Sequence, residues 1–170
     1  PKAEITKVSE KINQLVTAGE PLAASGAVKD GNFEPIYATV TGKVMYDTKT
    51  TGNYNTYIVD TDFDFANWAY GTAEKPAQGL LVYYNTSDFN LIREFAGIEV
   101  TMDVIIYTYR SNNQAFAVYY VGGPNGIEAN VSDDKAVDIA LAGVTLPGNV
   151  AEATTLSFPT TGANNTTVAW

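Results

Sequence analysis

The sequence predicts a mainly β protein, a single barrel with a helix before it and a short β segment of different character after it. Three observations point that way. Apolar and polar residues alternate with period two over several stretches between residues 36 and 121, which is the signature of half-buried strands. Turn-forming Gly, Asn, Asp and Ser gather between those stretches. Charged residues make up only 17% of the chain while Tyr occurs 11 times, a mix suited to pleated, partly buried surface. At 170 residues the chain is long enough for one domain with a real core, or for one domain plus part of another.

Residues 5–18 form the one clear helical pattern at the start. Ile5, Val8, Ile12, Leu15 and Val16 share a face, and Gly19 is a natural stop. Such a helix plugs one end of a sheet. Residues 19–35 lack periodicity and read as a loop. From Ile36 to Tyr46, the residues Ala38, Val40, Gly42, Val44 and Tyr46 alternate with Tyr37, Thr39, Thr41, Lys43 and Met45, giving a long first strand. Gly42 in its interior predicts a bulge or the sharp bend of a barrel corner. A polar turn, 47–53, leads to a second strand at 54–60, and Gly79 to Tyr84 is a third. Thr86, Ser87 and Asp88 precede Leu91, Ile92 and Phe95 as an N-cap precedes a short helix, closed by Gly97. Ile98, Val100, Met102, Val104 and Ile106 then mark the cleanest strand, and residues 110–113 turn it into a fifth, Gln114 to Val121.

Long strand, strand, strand, short helix, long strand, strand is the order of the five-stranded OB-like Greek-key barrel. Thr39-Val40-Thr41-Gly42-Lys43-Val44, Tyr57-Ile58-Val59-Asp60, Gly79-Leu80-Leu81-Val82-Tyr83 and Gly97-Ile98-Glu99-Val100-Thr101 resemble the OB-like modules of secreted bacterial nucleases and surface lipoproteins. Beyond the Gly122-Gly123-Pro124-Asn125-Gly126 run, Val144-Thr145-Leu146-Pro147, Leu156-Ser157-Phe158-Pro159 and Thr167-Val168-Ala169-Trp170 resemble the opening of atypical bacterial Ig-like repeats. The expected organisation is therefore helix plus OB-like barrel over 1–126, a linker over 127–143, and an incomplete Ig-like segment over 144–170. A start at Pro1 with no apolar leader and an end at Trp170 directly after a strand-like run fit a piece cut from a larger secreted or cell-surface protein. No run approaches the roughly 20 apolar residues of a membrane helix.

The chain has neither Cys nor His. That excludes thiol nucleophiles, His-dependent triads, Cys-based zinc sites and disulfides. Carboxylate, Tyr, Lys and Ser chemistry stays open. Glu99 and Asp103 lie on one outward face about 13 Å apart by strand rise, too far for the roughly 5–9.5 Å of a glycosidase pair. A non-enzyme is expected. The formal net charge is −9, and residues 36–123 hold five basic side chains against nine acidic ones. Both disfavour phosphate backbones as ligands.

Two candidate sites remain. Asp60, Asp62 and Asp64 alternate along an extended segment and could share a Ca²⁺, although Phe65 and Gly71 stand where an EF-hand loop needs Gly and Glu. The favoured alternative is a solvated acidic loop after a strand, since a hard-cation site needs six or more oxygens and three carboxylates are visible here. No other cofactor is implied. Tyr54, Tyr57, Trp68, Tyr70 and Tyr83 gather around the second and third strands and could stack on a base or a sugar ring; half of any strand faces the core, so some of them serve packing. Resemblance to OB modules implies an oligonucleotide, oligosaccharide or protein ligand across those strands, and the charge favours glycan or protein. The function expected is a non-catalytic accessory or binding module, extracellular or surface-exposed, with neighbouring domains of the same protein as partners. The alternative is an OB-like domain that binds glycan or single-stranded nucleic acid, attached to an extracellular nuclease.

Overall fold

A computed structural model describes residues 1–17, 34–47, 55–72, 74–82, 89–123 and 126–131. The chain divides into two compact units, Pro1–Glu128 and Ala129–Trp170. The expected Ig-like segment, 144–170, lies outside the described residues, as do Tyr54 and Tyr83.

The first unit is built on β1 (Ala3–Ile5), α1 (Val8–Thr17), β2 (Ile36–Asp47), β3 (Asn55–Val59), β4 (Leu80–Val82), α2 (Phe89–Arg93), β5 (Glu99–Arg110) and β6 (Ala115–Tyr120); a further strand, β7, spans Ile127–Asn130. The sheet order is β1-β2-β3-β4-β6-β5-β7, with an additional β2–β5 pairing. That extra pairing closes β2, β3, β4, β6 and β5 into a ring. Within the ring β4 and β6 run parallel, and the other four pairs are antiparallel. This is the five-stranded OB-like barrel, with α2 between its third and fourth strands.

Closure depends on β2 serving two neighbours. Ile36 to Lys43 pair with β5, and Lys43 to Asp47 pair with β3. Gly42 sits at the handover. A Cβ there would fall 2.6 Å from Ile58 Cγ2 and 2.6 Å from the Val59 carbonyl oxygen. The missing side chain is what allows β3 to approach as β2 turns the corner. Past that corner both Val44 and Met45 are buried, because both faces of the sheet are covered there.

In β5, Val100, Met102, Val104 and Ile106 are buried, and Glu99, Thr101, Asp103 and Ile105 are half-buried. The alternation breaks at a bulge. Ile106 pairs with Val118 but Thr108 pairs with Ala117, leaving Tyr107 as the extra residue. The inward phase thereby shifts to Tyr109, which meets Phe116 edge-to-face at 5.1 Å.

Two differences from the sequence expectation have local causes. Ile5 is buried as a strand residue, not a helical one: Ala3–Ile5 lies parallel to Ala38–Val40 and α1 begins at Val8. Ile5 and Val8 are spaced for a helix, yet the unpaired edge of β2 takes up the first of them. The chain after Gly126 opens with the strand Ile127–Asn130, where the composition suggests linker. The helix α2 ends at Arg93, earlier than the Gly97 expected to close it, and the chain turns over 94–97 before β5. Gly97 takes φ +83°, its N–H donates to the Val44 carbonyl at 2.7 Å, and Val44 N–H donates to the Ile98 carbonyl at 3.0 Å.

Candidate functional site

The chain leaves β3 at Val59 and reaches β4 only at Leu80. The segment between folds back over the outer face of the barrel. By strand alternation Ile58 points inward, while Tyr57 and Val59 point outward beside Met45, Leu81, Ala115 and Ala117, and these outward residues form a second buried cluster. Phe63, Phe65 and Trp68 pack on it from above. Trp68 lies 4.6 Å from Tyr57 between ring centroids, tilted by 49°, and meets Phe63 and Tyr70 edge-on at 6.1 and 6.0 Å. Three polar contacts fasten the cover. Lys43 Nζ donates to the Phe63 carbonyl at 3.0 Å and lies 5.4 Å from the Phe65 ring centre. Tyr70 Oη donates to Asp47 Oδ2 at 2.7 Å. Ala77 N–H donates to the carbonyl of Gln114, which holds a left-handed φ of +47°.

Of the aromatic candidates within the described residues, Tyr57 is 1% exposed, Trp68 is half-buried, and Tyr70 is 47% exposed. The structure brings the three together but turns the Tyr57 ring into packing beneath Trp68. Burial drives the Tyr57 phenol well above its ordinary range, reinforced by the nearby Asp47 and Tyr70 and opposed by a hydrogen bond with Asn55. The indole N–H of Trp68 is buried with no hydrogen-bond partner.

The three carboxylates do not converge. Asp60, 8% exposed, accepts from Ser9 N–H at 3.1 Å and from Ser9 Oγ, so it caps the first turn of α1 from across the fold. Asp62 accepts from Lys7 Nζ at 2.9 and 3.0 Å. That hydrogen bond holds the Asp62 carboxyl below its ordinary value and raises the Lys7 ammonium above its own. Asp64 turns the other way, accepting from Ala66 N–H and Asn67 Nδ2 at the start of a 3-10 turn, Phe65–Asn67. Among the described residues no group of three or more acidic side chains is placed to hold a metal ion. An extended Asp-X-Asp-X-Asp run would have put the carboxylates on one side. The turn that begins at Thr61 sends them to three partners instead. Lys7 and Ser9 are the partners that linear spacing conceals, since they lie 55 and 51 residues away.

Compared with protein-family models, with curated proteins and with solved structures, the chain matches none of them. Among the described residues no helix is long and apolar enough to cross a membrane.

Proposed function

We propose that the chain is a non-catalytic accessory or binding module of a multi-domain secreted or cell-surface bacterial protein. The observation that carries this reading is the use made of the candidate site residues. Asp60 caps a helix, Asp62 pairs with Lys7, Asp64 caps a 3-10 turn, and Tyr57 lies under Trp68. The Asp60, Asp62 and Tyr57 contacts tie one segment of the fold to another, the Asp64 contacts stay within its own turn, and none leaves a carboxylate poised beside a second one for acid–base work. The absence of Cys and His from the sequence supports it. The resemblance of residues 36–123 to modules of secreted nucleases and surface lipoproteins supports the placement outside the cell, beside other domains.

The second reading is a ligand-binding OB-like domain for glycan or single-stranded nucleic acid. It is favoured by Tyr70, exposed beside the Asp47 carboxylate at the rim of the aromatic cover. Incubation with DNA, RNA and polysaccharides in millimolar Ca²⁺ or Mg²⁺ tests the main proposal. No new chain ends and an unchanged melting temperature are expected. Turnover that disappears in Asp62→Asn would overturn it.

A further inference from the structure

Beyond the aromatic cover the outer face continues over β5 and the neighbouring parts of β2 and β6, with Tyr107 packed against the covered cluster. Tyr37 pairs with Ile105, and Ile105 pairs with Tyr119, so these three side chains stand in one row across three strands. Their sequence neighbours Ala38, Val104, Ile106, Val118 and Tyr120 are buried, which turns the row outward. Tyr37 and Val121 are each 44% exposed, and Tyr107 lies against Tyr119 with ring centroids 4.0 Å apart and 25° between the planes. From Tyr37 to Tyr119 the row spans two strand spacings, about 9–10 Å, comparable with two linked pyranose rings.

The polar groups beside the row are balanced. Asp103 accepts from Lys2 Nζ, from Thr39 Oγ1 at 2.8 Å and from Tyr37 Oη at 3.1 Å. Lys2 is thereby neutralised where it lies, with its ammonium 5.4 Å from the Tyr37 ring centre. The other cation near these rings, Arg110, interacts with the Tyr107 phenol, and with Lys2 paired and a net charge of −9 on the chain the row offers little to a phosphate backbone. It offers flat ring surface to the C–H face of a sugar, with phenol, threonine and carboxylate oxygens at the edge to meet sugar hydroxyls.

We propose that the outer face of β2, β5 and β6 binds a neutral glycan chain along the row Tyr37–Ile105–Tyr119. The assignment rests on the binding-module reading above and moves the ligand away from β3 and β4. Affinity electrophoresis and calorimetry of the full chain against cellohexaose, xylohexaose and chitohexaose test it, with reducing ends measured in the same samples. Binding to one of the three is expected. It should weaken about tenfold in Tyr37→Ala and in Tyr119→Ala, the loss of one stacking ring, and persist in Tyr119→Phe and Tyr70→Ala. Melting curves of each variant separate lost binding from lost folding. Binding to none of the three glycans, binding unchanged in both alanine variants whose melting curves match the parent, or loss confined to Tyr70→Ala would overturn the assignment while leaving the accessory role standing. New reducing ends would overturn the non-catalytic reading instead.

Discussion

The inner and outer faces of β3 are both buried, but by different means. Inward, Ile58 pairs with Leu80 and is buried, as are Val82, Val100 and Phe116, inside a ring of strands closed by backbone hydrogen bonds. Outward, Tyr57 and Val59 meet Phe63, Phe65 and Trp68, carried on a connection whose one helical element among the described residues is a 3-10 turn. The first core is shared by all five strands, so losing a piece of it loosens the whole barrel. The second is held by one segment, through ring contacts and a few polar fasteners. The lesson is that an aromatic-rich connection can cover the face an OB-like barrel would otherwise leave open, at the cost of a less cooperative layer.

The largest expected effect separates the two layers directly. Ile58→Ala, fully buried, should cost about 2–5 kcal/mol, against about 2 kcal/mol for the half-buried Trp68→Ala. Urea unfolding would measure both, and amide exchange should show Trp68→Ala releasing the 61–78 segment while β2 and β5 stay protected. Equal costs with global exchange in both variants would mean that the layers form one core. Next is Gly42→Ala, at the point where β2 passes from one neighbour to the other. The added methyl meets the Val59 carbonyl as well as Ile58, and overpacking of this kind should cost about 1–3 kcal/mol. Asp60→Ala removes the cap on α1 and should cost about 1 kcal/mol, seen as a lower urea midpoint. Ser9→Ala should lose part of the same amount.

The smallest effect is a pH dependence. Asp62 and Asp103 have folded-state pKa values below the ordinary 3.8, each chiefly through a lysine hydrogen bond. A depressed carboxylate contributes stability that is fully present above pH 3.8 and is lost as pH falls through the folded value. Lys2 and Lys7 are raised above 10.5, so their share is present below pH 10.5 and is lost as pH rises through the folded value. Lys2, Lys7 and Asp62 are exposed and Asp103 is half-buried, so the pairs are largely screened, the change is slight and it shrinks further in salt. Melting scans across pH 2–5 of the parent and of Lys7→Met should differ in slope. Identical scans would show that the Lys7–Asp62 pair makes no difference.

Much of the barrel is written in local pattern. The period-two runs at 36–46 and 98–106 became β2 and β5, and Gly97 took a left-handed conformation in the turn between α2 and β5, while the expected cap cluster Thr86-Ser87-Asp88 lies outside the described residues. Gly42 marked the corner because a strand that bends tightly against a neighbour cannot carry a side chain there. What local pattern could not carry was anything depending on two faces at once. The run 55–60 is buried on both sides, and alternation cannot tell which ring lies under a cover and which faces a ligand. The bulge at Tyr107 also escaped it, since one extra residue reverses the phase without changing the composition.

The sequence by itself determined the class of the protein, the order of the five barrel strands with the short helix between the third and fourth, and the absence of thiol and imidazole chemistry. Those follow from short-range periodicity and from residue types simply being absent. Only the tertiary structure decided what the acidic and aromatic residues do. Asp60 and Ser9 meet because α1 and the end of β3 are brought side by side. Tyr57 is sealed because a segment later in the chain returns over it. Tyr37, Ile105 and Tyr119 share a row because β2, distant in sequence, pairs in register with the β5–β6 hairpin. Each of these is a long-range contact, and its geometry exists only once the ring has closed.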